Sequence, residues 1–417
     1  MDDKREGSQV KYAVAAFVAV IIFTIIYKYA LNQLHSESVN DLNAHTQWAE
    51  SIHLNGLWTT WLNIPYLLWH LCVKSCIIFF KMPTEAASAF THGFFAAFSC
   101  LVNFYLLDRT GQKLTGKDIG VAAALASGAL GIVTALYVPW FNPNQYNGQF
   151  SINPIFNPTH MAVKPFGVIC FMLAVDMLLA YKGKERLYFE GIKSVRVLYV
   201  LFSFFLLLSA FTKPTFMYML LPAGVIYLLI DLAQALWKRD GSWKKVWSFM
   251  WRIACASLPA IIYLFFEYAA FYLWGDTSDD VGVAIYPFLT GWRIYSPDVS
   301  RSLRLSMAFP LWMGFTNLRY FCKSVEGRLA LIGYATGTLE FSFFVETGSR
   351  FTHLNFAWPM MSGMLLFWVI STARLIGITA APGEHKGNTA IVLVGWILLF
   401  VHFFSGLYYI SPDAFII

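Results

Sequence analysis

Between residues 12 and 410 the chain returns eleven times to an apolar run near bilayer length: 12–31, 86–107, 119–138, 161–181, 197–212, 214–234, 250–274, 303–318, 329–345, 356–373 and 389–410. A helix needs roughly 20 apolar residues to cross hydrocarbon, and there every backbone amide must be satisfied within the protein. The strand alternation of a membrane barrel is absent. The runs therefore predict an all-α, polytopic membrane protein of about eleven transmembrane helices. Composition agrees: 58% hydrophobic, 13% charged and mean hydropathy +0.55 exclude an ordinary soluble globule.

The first run follows a charged MDDKREGSQVK head, is too long for a signal-peptide core and lacks a small-residue cleavage site after it, so it reads as a retained anchor. The six cysteines lie in or beside apolar runs without paired CxxC motifs, as packing residues do. A net charge of +6 raises nucleic acid as a partner, but the basic residues are dispersed among short loops, which membrane topology explains better.

Segment 57–80 decides the topology. If it does not span, 21 of the 30 Lys and Arg fall on the side of the N-terminus, as the positive-inside rule requires. Its Trp58, Trp61, Tyr66 and Trp69, interrupted by Pro65, His70 and Lys74, predict a helix lying on or dipping into the outer leaflet. The expectation is one membrane domain over 1–417 in the plasma membrane, N-terminus cytoplasmic and C-terminus outside, with 33–85 forming the first outer loop and the interfacial helix and no separate soluble domain.

That topology gathers the unusual polar chemistry on the outer side. In DLNAHTQWAESIH, Asp41 and His45 share one helical face at i and i+4, with Trp48 and Glu50 close by. The segment reads either as a solvated juxtamembrane helix whose first-turn acid suits the helix dipole, or as a general base awaiting an acceptor hydroxyl. NPIFNPTHMAVKPFGV presents Asn157, Thr159 and His160 before a span and Lys164 inside it. Lys164 either snorkels to headgroups or contacts phosphate at a helix start. Lys213 precedes Pro214 between two runs, as a hairpin or a second cation. ETGSRFTHLNFAW packs Glu346, Arg350, His353 and Asn355 together, with Arg350 offering a planar fork for phosphate or carboxylate. GDTSDDVG lacks the ordered oxygen spacing of a calcium loop, and no metal-ligand set stands out. Few charges are placed at mid-span apart from Asp176 and Glu267.

DLNAHTQWAESI is similar to the D-x-x-x-H-x-x-x-A pattern of bacterial members of the GT-C superfamily of polyprenyl-phosphate-dependent glycosyltransferases, and NPTHMAVKPF, TKPTFMYMLLPA and ETGSRFTHLNFAW resemble later motifs of uncharacterised members. The resemblance covers the chain as short islands. It implies a GT-C-like fold and Asp41 as catalytic base. The expectation built on it has His45 orient or assist, with Asn157, His160, Lys164, Lys213, Glu346, Arg350, His353 and Asn355 as lipid-phosphate or substrate-binding residues. It also implies a polyprenyl-phosphate-linked sugar as donor and a glycan, lipid or protein as acceptor. No metal or cofactor is required; some relatives use a divalent cation. The usual second acid of the next outer loop is missing from 142–160, leaving His160 or a different site to take that part. The rival class is a transporter or flippase of lipid-linked saccharides, which would show repeats and mid-membrane polar groups. A third is an assembly subunit that binds such a lipid without turnover.

Overall fold

The computed structural model describes residues 2–36, 40–53, 66–138, 149–239, 241–274, 282–381 and 389–410, with 56, 58, 60, 62, 64 and 140. The acidic GDTSDD stretch, 275–280, lies outside the described residues.

The apolar runs wind into helices, three of them around an internal proline (Pro165, Pro222 and Pro259), and the polar 41–51 stretch adds a short one: α1 (Asp2–His35), α2 (Asp41–Ser51), α3 (Leu67–Phe80), α4 (Thr84–Thr115), α5 (Gly120–Leu130), α6 (Pro158–Tyr181), α7 (Val195–Thr212), α8 (Thr215–Lys238) and α9 (Trp243–Tyr268). After a two-stranded ladder begins at β1 (Val283–Ile285) come α10 (Val299–Thr316), α11 (Leu318–Lys323), α12 (Val325–Phe343), β2 (Phe344–Glu346), α13 (Ala357–Ala380) and α14 (Thr389–Ile410). Among the described residues eight helices, α1, α4, α6, α7, α8, α9, α13 and α14, are long and apolar enough to cross a membrane. The chain is a multi-pass, all-α membrane protein.

The bundle is layered by burial. The apolar windows of α6 and α13 are 89% and 94% buried, so these two form the centre, whereas α9 and α14, at 17% and 22%, turn most of their surface outward. Apolar residues facing outward are expected where the surroundings are lipid. The start of α6 is capped. Asn157 caps α6, its side chain accepting the His160 amide at 2.9 Å, with Pro158 at the first helical position.

Close approach fixes α13 against α12. A Cβ added at Gly363 would lie 2.7 Å from the Gly333 carbonyl oxygen and the Tyr334 Cα, and one added at Gly337 2.7 Å from the Met360 backbone. Backbone cannot swing aside, so small residues let these helices touch. Gly363→Ala is expected to cost ~1–3 kcal/mol through overpacking, read as a lower thermal unfolding midpoint in detergent. An unchanged midpoint would mean that the contact is compliant.

One run departs from the sequence expectation of a single membrane-length helix. The run 119–138 is helical only over α5, turns at Gly131 and Ile132, and continues from Val133 to Val138 without regular secondary structure. Its freed backbone is satisfied inside the protein: the Thr134 amide donates to the His402 carbonyl at 3.3 Å, the Leu136 amide to the Leu305 carbonyl at 3.0 Å, and His402 Nδ1 donates to the Thr134 carbonyl at 2.6 Å. Non-helical backbone at membrane depth is tolerated under that condition. Run 303–318 lies mostly in α10, 18 residues with a break in helical geometry at Met307, and run 329–345 mostly in α12, 19 residues; neither helix is among the eight. Segment 57–80 yields α3, whose 14 residues span about 21 Å at 1.5 Å per residue. Trp69 and His70 on it are fully buried against the protein and do not lie in an aromatic belt.

Asp176 and Glu267 have local duties. Asp176 accepts the backbone amides of Leu187 at 2.8 Å, Tyr188 at 3.1 Å and Phe189 at 2.7 Å, organising the turn between α6 and α7. Glu267, at the end of α9, accepts the Tyr66 amide at 3.0 Å and the Tyr263 hydroxyl at 3.3 Å.

Candidate functional site

At the α2 end of the bundle a cavity of about 640 Å³ opens between α2, the start of α6, the α7–α8 junction, the end of α9 and the segment before α13. Asp41, His45, Asn157, Lys213, Arg350, His353 and Asn355 all line it.

Local sequence explains how each arrives. Asn40 caps α2, accepting the Asn43 amide at 3.0 Å, which puts Asp41 in the first turn with His45 one turn on. Lys213 leaves α7 with extended backbone because the following Pro214 disfavours a helical residue before it. The β1–β2 ladder pairs Val283 with Glu346 and Ile285 with Phe344, holding Glu346 at the inner edge of the loop that carries Arg350 to Asn355. Two non-glycine residues at the site, Tyr66 (φ 63°) and Leu354 (φ 53°), occupy the left-handed region, a conformation that surrounding structure must enforce.

The centre is a polar chain. Asn157 Nδ2 donates to Asp41 Oδ2 at 2.7 Å, while Asn157 Oδ1 accepts from Lys213 Nζ at 3.0 Å. One asparagine thus holds an acid and an amine on its two sides. Asp41 Oδ1 has no protein partner among the described residues. Lys213 Nζ lies 4.2 Å from the centre of the Trp358 ring, a cation–π contact. Trp358 Nε1 donates to Asn355 Oδ1 at 3.1 Å, and Asn355 Nδ2 donates to Glu346 Oε2 at 2.6 Å. Arg350 stands 3.9 Å from the other oxygen of Glu346.

Burial shapes the charges. Loss of water pushes the Lys213 ammonium down to about 7, against the pull of Asp41 and Glu346. Burial raises the Glu346 carboxyl, with Asn355, Arg350 and Lys213 opposing. His353 is lowered by burial and by Arg350.

His45 and His70 form a buried pair, Nδ1 to Nε2 at 2.8 Å. Burial holds His45 well below its ordinary value and takes His70 down to about 4, so both rings are neutral near pH 7. His70 Nδ1 meets the Tyr66 carbonyl at 3.1 Å and must donate to it, so its Nε2 accepts. His45 then donates from Nδ1, and its own Nε2 keeps the lone pair.

Not every sequence candidate reaches the cavity. Glu346 stands behind Asn355. His160 is buried with its ring 5.1 Å from that of Trp358. Lys164 is 1% exposed and turns away, donating to Asn153 Oδ1 at 2.7 Å and meeting the Met161 sulfur at 3.0 Å. Its side-chain nitrogen braces Asn153, which donates to the Leu130 and Val133 carbonyls at 2.8 Å, and so supports the segment after α5.

No protein-family model matches the chain, and a search of curated proteins returns no match.

Sequence reasoning gave no site role to four residues that the fold brings in. Tyr66 and Glu267 line the cavity, Trp358 carries Lys213, and His70 fixes His45. His70 and Glu267 were visible as polar breaks in apolar segments; Tyr66 and Trp358 had no such mark. Glu267 also brings a second carboxylate to the cavity from α9, where the 142–160 loop has none. Among the described residues no group of three His, Cys, Asp or Glu could hold a metal ion. The arrangement can remove a proton at Asp41, receive negative charge at Lys213 and Arg350, and stack a ring on Trp48, Tyr66 or Trp358.

Proposed function

We propose that the chain is a membrane glycosyltransferase of GT-C type that moves a sugar from a polyprenyl-phosphate donor to a glycan, lipid or protein acceptor on the outer face of the plasma membrane. The observation that carries this reading is Asn157, whose two side-chain atoms hold Asp41 and Lys213 side by side in a cavity at the ends of membrane helices. An acid without a partner on one oxygen suits an acceptor hydroxyl, and a desolvated amine suits a leaving phosphate.

In this scheme the acceptor oxygen forms a bond to the sugar's anomeric carbon as the bond from that carbon to the phosphate oxygen breaks. The acceptor proton passes to Asp41, and the departing electron pair stays on the phosphate, neutralised by Lys213 and Arg350. Attack opposite the leaving group inverts the anomeric centre. His45 orients the acceptor through the lone pair on Nε2. About eleven crossings with α3 on the outer leaflet fit this reading, with α5 and its extension, α10 and α12 completing the eight spans. A GT-C enzyme without a metal is the simplest form; a divalent cation is compatible with it.

The deciding experiment offers the purified chain in nanodiscs a polyprenyl-phosphate-linked sugar with an envelope extract as acceptor. The expected result is polyprenyl phosphate released in step with sugar transferred. Movement of the intact lipid-linked sugar across the bilayer, or binding without release, would replace the enzyme by a flippase or an assembly subunit.

His70→Leu tests the pair. It removes the acceptor of the buried His45 N–H and one donor to the Tyr66 carbonyl, at an expected cost of ~1–3 kcal/mol for a buried unsatisfied group. Denaturant unfolding of the variant reads the stability loss. Turnover should fall with it, because the His45 ring loses the contact that fixes its orientation. A variant as stable and active as the parent would remove His70 from the site.

A further inference from the structure

At the opposite end of the bundle lies a second polar cavity of about 850 Å³, between the end of α4, the α6–α7 turn, the α10–α11–α12 junction and α13. Trp358 at the first site and Arg374 here lie on the same helix, sixteen residues apart, about 24 Å along its axis. The two cavities therefore stand on different sides of a membrane-spanning body.

Five cations converge on this cavity from four parts of the chain: Lys113, Lys184, Arg319, Lys323 and Arg374, facing the carboxylates of Glu185 and Glu326. Scattered inner-side cations are ordinary in membrane proteins, and several others at this end are neutralised by partners. Lys11 pairs with Asp108 at 2.8 Å, Lys182 and Arg328 with Asp231 at 2.9 and 2.8 Å, and Arg109 with Glu190. By contrast, none of the five lining the cavity makes an ion pair among the described residues.

Arg374 differs from its neighbours. It sits six residues before the end of α13, half-buried, about 9 Å below the helix end. Its Nε donates to Asn317 Oδ1 at 3.0 Å, and its guanidinium carbon lies 5.2 Å from the centre of the Tyr320 ring. One edge of the fork is thereby fixed, and the terminal nitrogens remain to make a bidentate contact. Lys113, Lys184, Arg319 and Lys323 are exposed around it. A fixed guanidinium with mobile ammonium and guanidinium groups about its mouth is suited to a tetrahedral, multiply charged oxyanion.

We propose that this cavity binds a phosphate ester, with Arg374 as its bidentate anchor and the four exposed cations enclosing it. A lipid headgroup and a water-soluble phosphate compound share that chemistry.

The full chain is titrated in detergent with pyrophosphate, and separately in nanodiscs containing phosphatidylglycerol or phosphatidylcholine, with thermal midpoint and native mass spectrometry as readouts. Binding of pyrophosphate without lipid assigns a soluble phosphate. Retention of phosphatidylglycerol over phosphatidylcholine, without a pyrophosphate response, assigns a headgroup. In either case Arg374→Gln is expected to weaken the interaction at least tenfold. The surface double variant Lys184→Gln/Lys323→Gln, which leaves the buried contacts intact, is expected to weaken it several-fold and decides the matter if Arg374→Gln does not fold. Lys244→Gln/Lys245→Gln, on the same side but outside the cavity, should change nothing. The proposal is overturned if neither probe binds, if the Lys184/Lys323 variant binds as the parent does, or if the Lys244/Lys245 control loses as much.

Discussion

Asp41→Asn is expected to lower kcat for sugar transfer by about 10²–10⁴-fold, the range that a positioned general base contributes. The change is nearly isosteric, and Asn157 Nδ2, now 2.7 Å from a carboxylate oxygen, would still find an amide oxygen in the same place. Folding should therefore survive and donor binding should change little, so the loss should appear in kcat and not in KM. Release of polyprenyl phosphate from a lipid-linked sugar, measured on equal amounts of inserted protein, reads it. Transfer at the parental rate would sink Asp41 as the base.

Lys213→Met is expected to cost about 10²–10³-fold in turnover, as losses of preorganised charge at a developing anion do. Methionine fills much of the same space against Trp358 but brings no charge to the phosphate. The same residue sets a pH dependence. Burial lowers its pKa to about 7, so the free protein loses the required positive charge as pH rises through that value, and kcat/KM should fall on the alkaline side. The anionic phosphodiester of the bound donor favours the charged amine, so the alkaline limb of kcat should lie at higher pH than that of kcat/KM. Donor binding above pH 7 should then take up close to one proton, measurable by calorimetry in buffers of different ionisation heat. In Lys213→Met both the limb and the uptake should vanish. If the alkaline limb persists in the variant, another group titrates.

Much of the architecture could be read from apolar length, because lipid leaves a backbone few options. The runs that became α1, α4, α6, α7, α8, α9, α13 and α14 carry their own signal. The run 119–138 misleads because hydropathy does not distinguish a helix from an irregular segment whose amides are satisfied by α10 and α14. Within the site, Asp41, His45, Asn157, Lys213 and the 350–355 loop stand out as polar groups where polarity is costly, and the fold draws them into one cavity. Lys164 carries the same mark for a different reason: its side-chain nitrogen braces Asn153 inside the protein. A buried lysine signals a partner but not which partner. Trp358 and Tyr66 are invisible for the converse reason, since aromatic residues at helix ends are common in any membrane protein and only tertiary geometry sets one beneath an ammonium.

Asn157 begins α6 through its oxygen and grips Asp41 through its nitrogen. Of the twenty side chains, asparagine alone is both short enough to cap and equipped with a separate donor. Aspartate lacks the donor, serine must use one atom for both tasks, and glutamine's extra methylene places its amide too far out to cap. Divergence at this position is therefore nearly closed: a sequence that abandons this asparagine must rebuild the start of its central helix and the spacing of its acid and amine in the same step.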